Sequence, residues 1–144
     1  MTEIEPIFVD TNILVYAHQK VHDRRNDTAR QILKECFEGK TLLTISNQIL
    51  GEFCRVVRHK MDRPLPDWEI IIILQDILAT PSFKIVNYSS QTVVSAMKEG
   101  CDVFIWDAII AQTMRENGIT TIYTENTKDF QKIKGIKPIN PFAE

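Results

Sequence analysis

Three acids stand where a carboxylate could do more than keep a surface in water. Asp10 closes the apolar run Ile7-Phe8-Val9 and is followed at once by Thr11-Asn12. Glu52 lies in a helical stretch beginning near Gln48. At about 100° per residue, Ile49, Phe53, Val56 and Val57 form one apolar stripe there, and Glu52 sits at its edge. Asp107 opens a stretch whose apolar positions are Trp106, Ile109, Ile110, Thr113 and Met114, and it too borders its stripe. Each acid has a plainer explanation. Asp10 and Asp107 are good helix caps, and Glu52 could pair weakly with Arg55 three residues on. Taken singly, the plainer explanations are the stronger. Taken together, three acids at element ends or stripe edges could meet in one cleft.

Carboxylates brought together repel, so they must protonate or be neutralised by a cation. Hard oxygen ligands without His or Cys select Mg²⁺ or Mn²⁺ over zinc, and those ions suit phosphodiester chemistry. His18, His22 and His59 have no metal-ligand spacing. A further polar cluster, Thr124-Glu125-Asn126 with Asp129 behind it, follows the β-branched and aromatic run 120–124. If that run pairs beside the first strand, Thr124 and Asn126 come near Asp10. Glu125 and Asp129 read equally well as loop charges.

The elements that must position these groups alternate. Strands are expected at 7–9, 42–45, 83–86 and 120–124, with a last short one at 137–139. Helices are expected at 12–18, up to about Phe37, from Gln48 to about Lys60, from an Asp67 cap to Ala79, at 89–99 and at 107–117. Ser46 or Asn47 is the cap expected before Gln48. Gly39, Gly100 and Gly118 are the expected stops, and Lys20 to Asp27 reads as a polar connection. Such alternation implies an α/β fold, a central, mostly parallel sheet of four to five strands with helices on both faces. Ligands of such sheets gather beyond the carboxyl ends of the strands.

The chain of 144 residues reads as a single domain, 1–144, large enough to need no disulfide or structural metal. Hydrophobic content of 44% and charged content of 25% are ordinary for a globular protein. Cys36, Cys54 and Cys101 have no close spacing and read as buried thiols of a reducing compartment. The acidic N-terminus lacks the pattern of a signal peptide, and no apolar run approaches the length of a membrane span, so a cytoplasmic protein without membrane contact is expected. A net charge of −2 and a pI near 5.9 argue against a nonspecific nucleic-acid coat. They leave room for an enzyme whose metal supplies the local positive charge.

Four segments, taken in order, resemble the PIN-domain family and in particular VapC-type toxin ribonucleases. They are Phe8-Val9-Asp10-Thr11-Asn12-Ile13-Leu14, Ser46-Asn47-Gln48-Ile49-Leu50-Gly51-Glu52-Phe53, Trp106-Asp107-Ala108-Ile109-Ile110-Ala111 and Thr124-Glu125-Asn126-Thr127-Lys128-Asp129-Phe130. The closing Ile139-Asn140-Pro141-Phe142 fits as well. The resemblance implies a PIN-like three-layer α/β/α fold and a Mg²⁺- or Mn²⁺-dependent endoribonuclease working through metal-activated water. It assigns Asp10, Glu52 and Asp107 to the family's principal acids and Asn126 to its fourth acidic position. Asp129 is a nearby compensating ligand, and Asn12 and Thr124 support the metal shell. Arg55, His59, Arg24 and Arg25 are the candidates for holding RNA phosphates, although a solvated face explains them equally well. A small antitoxin protein and a homodimer are the partners the resemblance implies.

Two other readings compete. A PIN fold kept as an inactive binding or assembly module would account for Asn126 in place of an acid. A phosphatase or phosphoacceptor using Asp10 as nucleophile is more distant. The haloacid-dehalogenase pattern wants an acid where Asn12 stands, and the receiver pattern wants paired acids and a late Lys.

Overall fold

The apolar runs of the sequence become a five-stranded sheet in a computed structural model that describes residues 3–100 and 102–143. In chain order the elements are β1 (Pro6–Val9), α1 (Thr11–His18), α2 (Arg24–Phe37), β2 (Leu42–Ser46), α3 (Asn47–His59) and α4 (Asp67–Ala79). They continue with β3 (Phe83–Val86), α5 (Ser90–Lys98), α6 (Ile105–Glu116), β4 (Thr121–Tyr123), α7 (Thr127–Phe130) and β5 (Lys137–Ile139). The strand order is β3-β2-β1-β4-β5, and every pairing is parallel.

This order has a mechanical meaning. The chain winds outward from β1 to β3, then crosses back to lay β4 on the other side of β1. Right-handed crossovers therefore put the helices between β1 and β3 on one face and α5 and α6 on the other. The winding reverses between β1 and β4, which is where a crevice opens beyond the carboxyl ends of a parallel sheet. Central β1 is buried on both sides: Phe8 and Val9 are both 0% exposed. Around it the core gathers Ile13, Leu14, Ile45, Ile49, Phe53 and Ile122.

Local chemistry sets the element ends. The Ser46 side chain accepts from the backbone N–H of Ile49 and starts α3, and Ser89 forms a capping box with Thr92 at α5. Gly118 holds φ +67, the left-handed backbone that ends α6.

Four expectations need correction. The connection expected at Lys20 to Asp27 is helical from Arg24 onward, because Asp23 accepts from the backbone N–H of Asn26 and caps α2. Asp67 is not a cap. Pro66 takes that position, and the Asp67 carboxylate instead faces Arg58, with Nε 3.0 Å from Oδ1. The helix expected to open at Asp107 begins two residues earlier, at Ile105. The short helix α7 stands where the sequence suggests only loop. Met1, Thr2, Cys101 and Glu144 lie outside the described residues, so the reading of Cys101 as a buried thiol does too; Cys36 is a buried free thiol and Cys54 a half-buried one. No helix among the described residues is long and apolar enough to cross a membrane.

Candidate active site

β1 and β4 end side by side, and the residues that follow them meet. The Thr124 hydroxyl donates to Asp10 Oδ2 at 2.7 Å, and the backbone N–H of Thr11 donates to Asp10 Oδ1 at 2.8 Å. Asp10 is thus both the cap of α1 and a fixed carboxylate at the sheet edge; the two explanations turn out to be compatible. Thr124 also receives the backbone N–H of Asn126 at 3.0 Å, which bends the chain after β4 so that the Asn126 side chain points toward α6. There its Nδ2 donates to Asp107 Oδ2 at 3.1 Å.

Glu52 approaches from α3. Thr11 Oγ1 donates to its Oε2 at 2.9 Å and Gln48 Nε2 to its Oε1 at 3.2 Å. The weak pair with Arg55 is not among its contacts, so the plainer explanation of Glu52 gives way. Asp107 likewise is no cap. It sits in the first turn of α6, behind Phe104, which takes the cap position.

The acids sense one another. Burial pushes the Asp107 carboxyl up to about 6, and the charges of Asp10, Asp129 and Glu52 push in the same direction against the Asn126 hydrogen bond. Asp10 is also raised, first by burial and least by Glu52, against the hydrogen bonds from Thr124 and Thr11. Three acids and Asp129 therefore share one electrostatic neighbourhood that favours a bound proton or a bound cation.

The donor set fits a hard divalent cation: carboxylate, amide and hydroxyl oxygens, with no sulfur or imidazole among them. Asn12 Oδ1 is buried without a hydrogen-bond partner among the described residues, and Asn12 lines a cleft of about 320 Å³ together with Asp10 and Glu52. Among the described residues no three acid, His or Cys side chains are already drawn into one ligand set. The carboxylates couple through space without touching.

A second cleft, of about 680 Å³, lies on the other side of Glu52 and reaches Asp107. Arg55 lines both clefts and is exposed, where it could meet a phosphate. The other basic candidates lie apart. Arg25 is drawn to Glu125, Nε to Oε2 at 2.8 Å, with its guanidinium over the Tyr16 ring. His59 and Arg24 line neither cleft. A larger cavity of about 770 Å³ runs along α1 and α2 but contains none of the three acids.

Local pattern gives no role to Thr11, Gln48 or Tyr16, and Glu125 reads equally well as site or loop. Tyr16 donates its hydroxyl to Glu125 Oε1 at 2.6 Å, and the tyrosine is pushed up to about 12, first by burial and then by that carboxylate. Trp106, expected in the buried stripe of α6, is 43% exposed. The stripe is right from Ile109 onward, but Trp106 lies in the first turn, beyond the edge of the core.

Residues 7–136 match the model of the PIN domain. The chain belongs to the PIN-domain family. No curated protein matches it at a comparable level. Among solved structures it is similar to a toxin–antitoxin complex from Klebsiella pneumoniae, 24% identical, TM-score 0.62, covering 94% of this chain and 97% of that one. It is also similar to VapBC2 from Rickettsia felis bound to promoter DNA, 20% identical, TM-score 0.61, covering 94% and 98%. The sarcin–ricin-loop-cleaving toxin VapC20 of Mycobacterium tuberculosis is 18% identical with TM-score 0.61, over 83% of this chain and 89% of that one. At these identities the likeness is one of fold. The PIN architecture expected from the sequence is the one found, with five strands and every pairing parallel.

Proposed function

We propose that this PIN-domain protein is a Mg²⁺- or Mn²⁺-dependent endoribonuclease, the toxin of a VapBC-type toxin–antitoxin pair. The observation that carries the reading is the meeting of Asp10, Glu52 and Asp107, from three elements far apart in sequence, at the carboxyl edge of the sheet. Each is oriented by a neighbour: Asp10 by Thr124, Glu52 by Thr11 and Gln48, Asp107 by Asn126. Such support is what a preorganised centre requires.

Asp10, Glu52 and Asp107 would hold the cation, with Asn126, Asn12 and Asp129 at its margin. When bound, the cation supplies activation of water and neutralisation of charge on the phosphate. The protein's part is to keep the acids aimed and partly desolvated, so that a cation would be favoured over three separate charges, and to present Arg55 to a flanking phosphate. Kinship in fold with VapC20, a sarcin–ricin-loop-cleaving toxin, with the Klebsiella pneumoniae toxin–antitoxin complex and with VapBC2 supports a small antitoxin as partner and RNA as substrate. A homodimer belongs to the same proposal.

The test is cleavage of total RNA by the purified protein in Mg²⁺ or Mn²⁺ against EDTA, with Asp107→Asn alongside. Cuts that need metal and vanish in a folded variant establish the nuclease. Asn126 favours the inactive module as the second reading. A folded, partner-free preparation that neither cleaves RNA nor takes up Mn²⁺ in calorimetry would decide for it.

A further inference from the structure

Beside the acids stands a wall of rings that the chemistry above does not use. Phe104 is 67% exposed and Trp106 43%, and with Tyr88 they line the 680 Å³ cleft whose other side carries Glu52, Arg55 and Asp107. Two neighbouring rings open to water at the mouth of a cleft that also carries Glu52, Arg55 and Asp107 make a contiguous apolar patch, the kind of surface that marks an interaction site.

Their placement is built. Gln48 Nε2 donates to the backbone carbonyl of Trp106 at 3.2 Å while also holding Glu52. The neighbouring Asn47 Oδ1 accepts the backbone N–H of Tyr88 at 3.0 Å. Two consecutive residues in the first turn of α3 thus tie both ring-bearing segments to the helix that carries Glu52. Gln48 is 7% exposed, and its Oε1 is buried without a partner among the described residues. A polar group is spent here on fixing the wall relative to the acids.

We propose that this cleft, lined by Tyr88, Phe104 and Trp106, is a stacking subsite for one unpaired nucleobase adjacent to the phosphate that is cut. The proposal rests on the nuclease reading and deepens it. Aromatic faces take bases of any identity once these are unstacked, whereas the bases of a duplex are already occupied with each other. The charge balance points the same way. With a net charge of −2 and several carboxylates at the centre, long-range attraction to a phosphate backbone is weak. Beyond the positive charge that a bound cation and Arg55 would bring, affinity must then come from uncharged contact with bases. A second copy of the chain is the competing occupant. It suits the cleft poorly, because its apolar surface would have to cover Glu52 and Asp107.

The experiment measures binding of a fluorescein-labelled single-stranded RNA by anisotropy, in Ca²⁺ to support binding without cleavage and again in EDTA. The same strand is tested as a duplex and as a series with one abasic nucleotide moved along it. The single strand should bind at least about tenfold tighter than the duplex, and Trp106→Ala and Phe104→Ala should each weaken it roughly tenfold. Trp106→Phe should restore most of the loss. One abasic position should reproduce the loss, and combining it with Trp106→Ala should add nothing further.

Binding indifferent to Trp106 and Phe104, losses that multiply, or no RNA binding in either condition would overturn the proposal. So would alanine variants that turn a dimer into a monomer in sedimentation while RNA affinity stays unchanged; the wall would then belong to a second copy. Metal-dependent cleavage by the unaltered protein, scored separately, tells whether the subsite alone has failed or the nuclease reading with it.

Discussion

The side-chain amide of Asn126 donates to Asp107 Oδ2 at 3.1 Å, a neutral group where one more carboxylate would repel an acid already pushed up to about 6. Asn126→Asp replaces that donor with a charge. Without metal, the variant should be less stable by about 1–2 kcal/mol, a few degrees in Tm for a domain of this size. Added Mn²⁺ should then raise its Tm by more than it raises that of the unaltered protein. Equal shifts by scanning calorimetry would mean that position 126 does not face the cation.

Asp107 binds its proton more tightly in the folded protein than in the unfolded chain, its carboxyl standing at about 6 against 3.8. Stability from this group is therefore present at acid pH and is lost as pH rises through the window between those values. Asp10 shifts in the same direction. The metal-free protein should be more stable near pH 5 than near pH 7.5, by about 1 kcal/mol from Asp107 once its partial exposure is allowed for. Asp107→Asn should flatten that part of the profile. Denaturant titrations in EDTA at the two pH values measure the difference, and a rise in stability over this range would contradict the assignment.

Thr11 Oγ1 is one of two donors that hold Glu52. Thr11→Val keeps the volume and removes the donor, at a cost of about 1 kcal/mol in stability. Cleavage should fall much further than stability does, since a carboxylate freed to rotate is no longer aimed. Thr11→Ser should recover most of the rate. An RNA-cleavage series across the three proteins, with urea unfolding in parallel, separates the two effects.

Tyr16 and Arg25 grip Glu125 between them, and Glu125 sits between Thr124 and Asn126, the residues that steady Asp10 and Asp107. Ultraviolet titration should find one tyrosine that ionises only near pH 12. In Glu125→Gln that phenol should titrate at lower pH. Tyr16→Phe should abolish the late transition and weaken metal binding several-fold, through looser placement of the loop after β4. Unchanged Mn²⁺ affinity would reduce the contact to a clasp between α1 and the loop after β4.

The fold was legible because its signals are local. Ile7-Phe8-Val9 is apolar and short, the run 83–86 is apolar but for an exposed Lys84, Ser46 and Ser89 are caps, and Gly118 ends a helix by its backbone conformation. The three acids were legible in part from stripe edges, which place Ile49, Phe53 and Val57 inside and leave Glu52 at the margin. What was not legible is long-range. Thr11 finds Glu52 across 41 positions and Tyr16 finds Glu125 across 109, and neither pairing leaves a trace in local spacing. Trp106 escaped because periodicity names the face of a helix but not where along that face the core ends. Asp23 was lost in a charged stretch that looked like solvent-facing loop, although its side chain starts α2.

Asp10 is synthesised early and its partner Thr124 late, 114 positions downstream. Until β4 is made, β1 has a neighbour on one side only, and Asp107 lacks the amide that steadies it. The candidate centre cannot close until β4 and Asn126 are in place, so the order of the strands makes its completion a late step in folding.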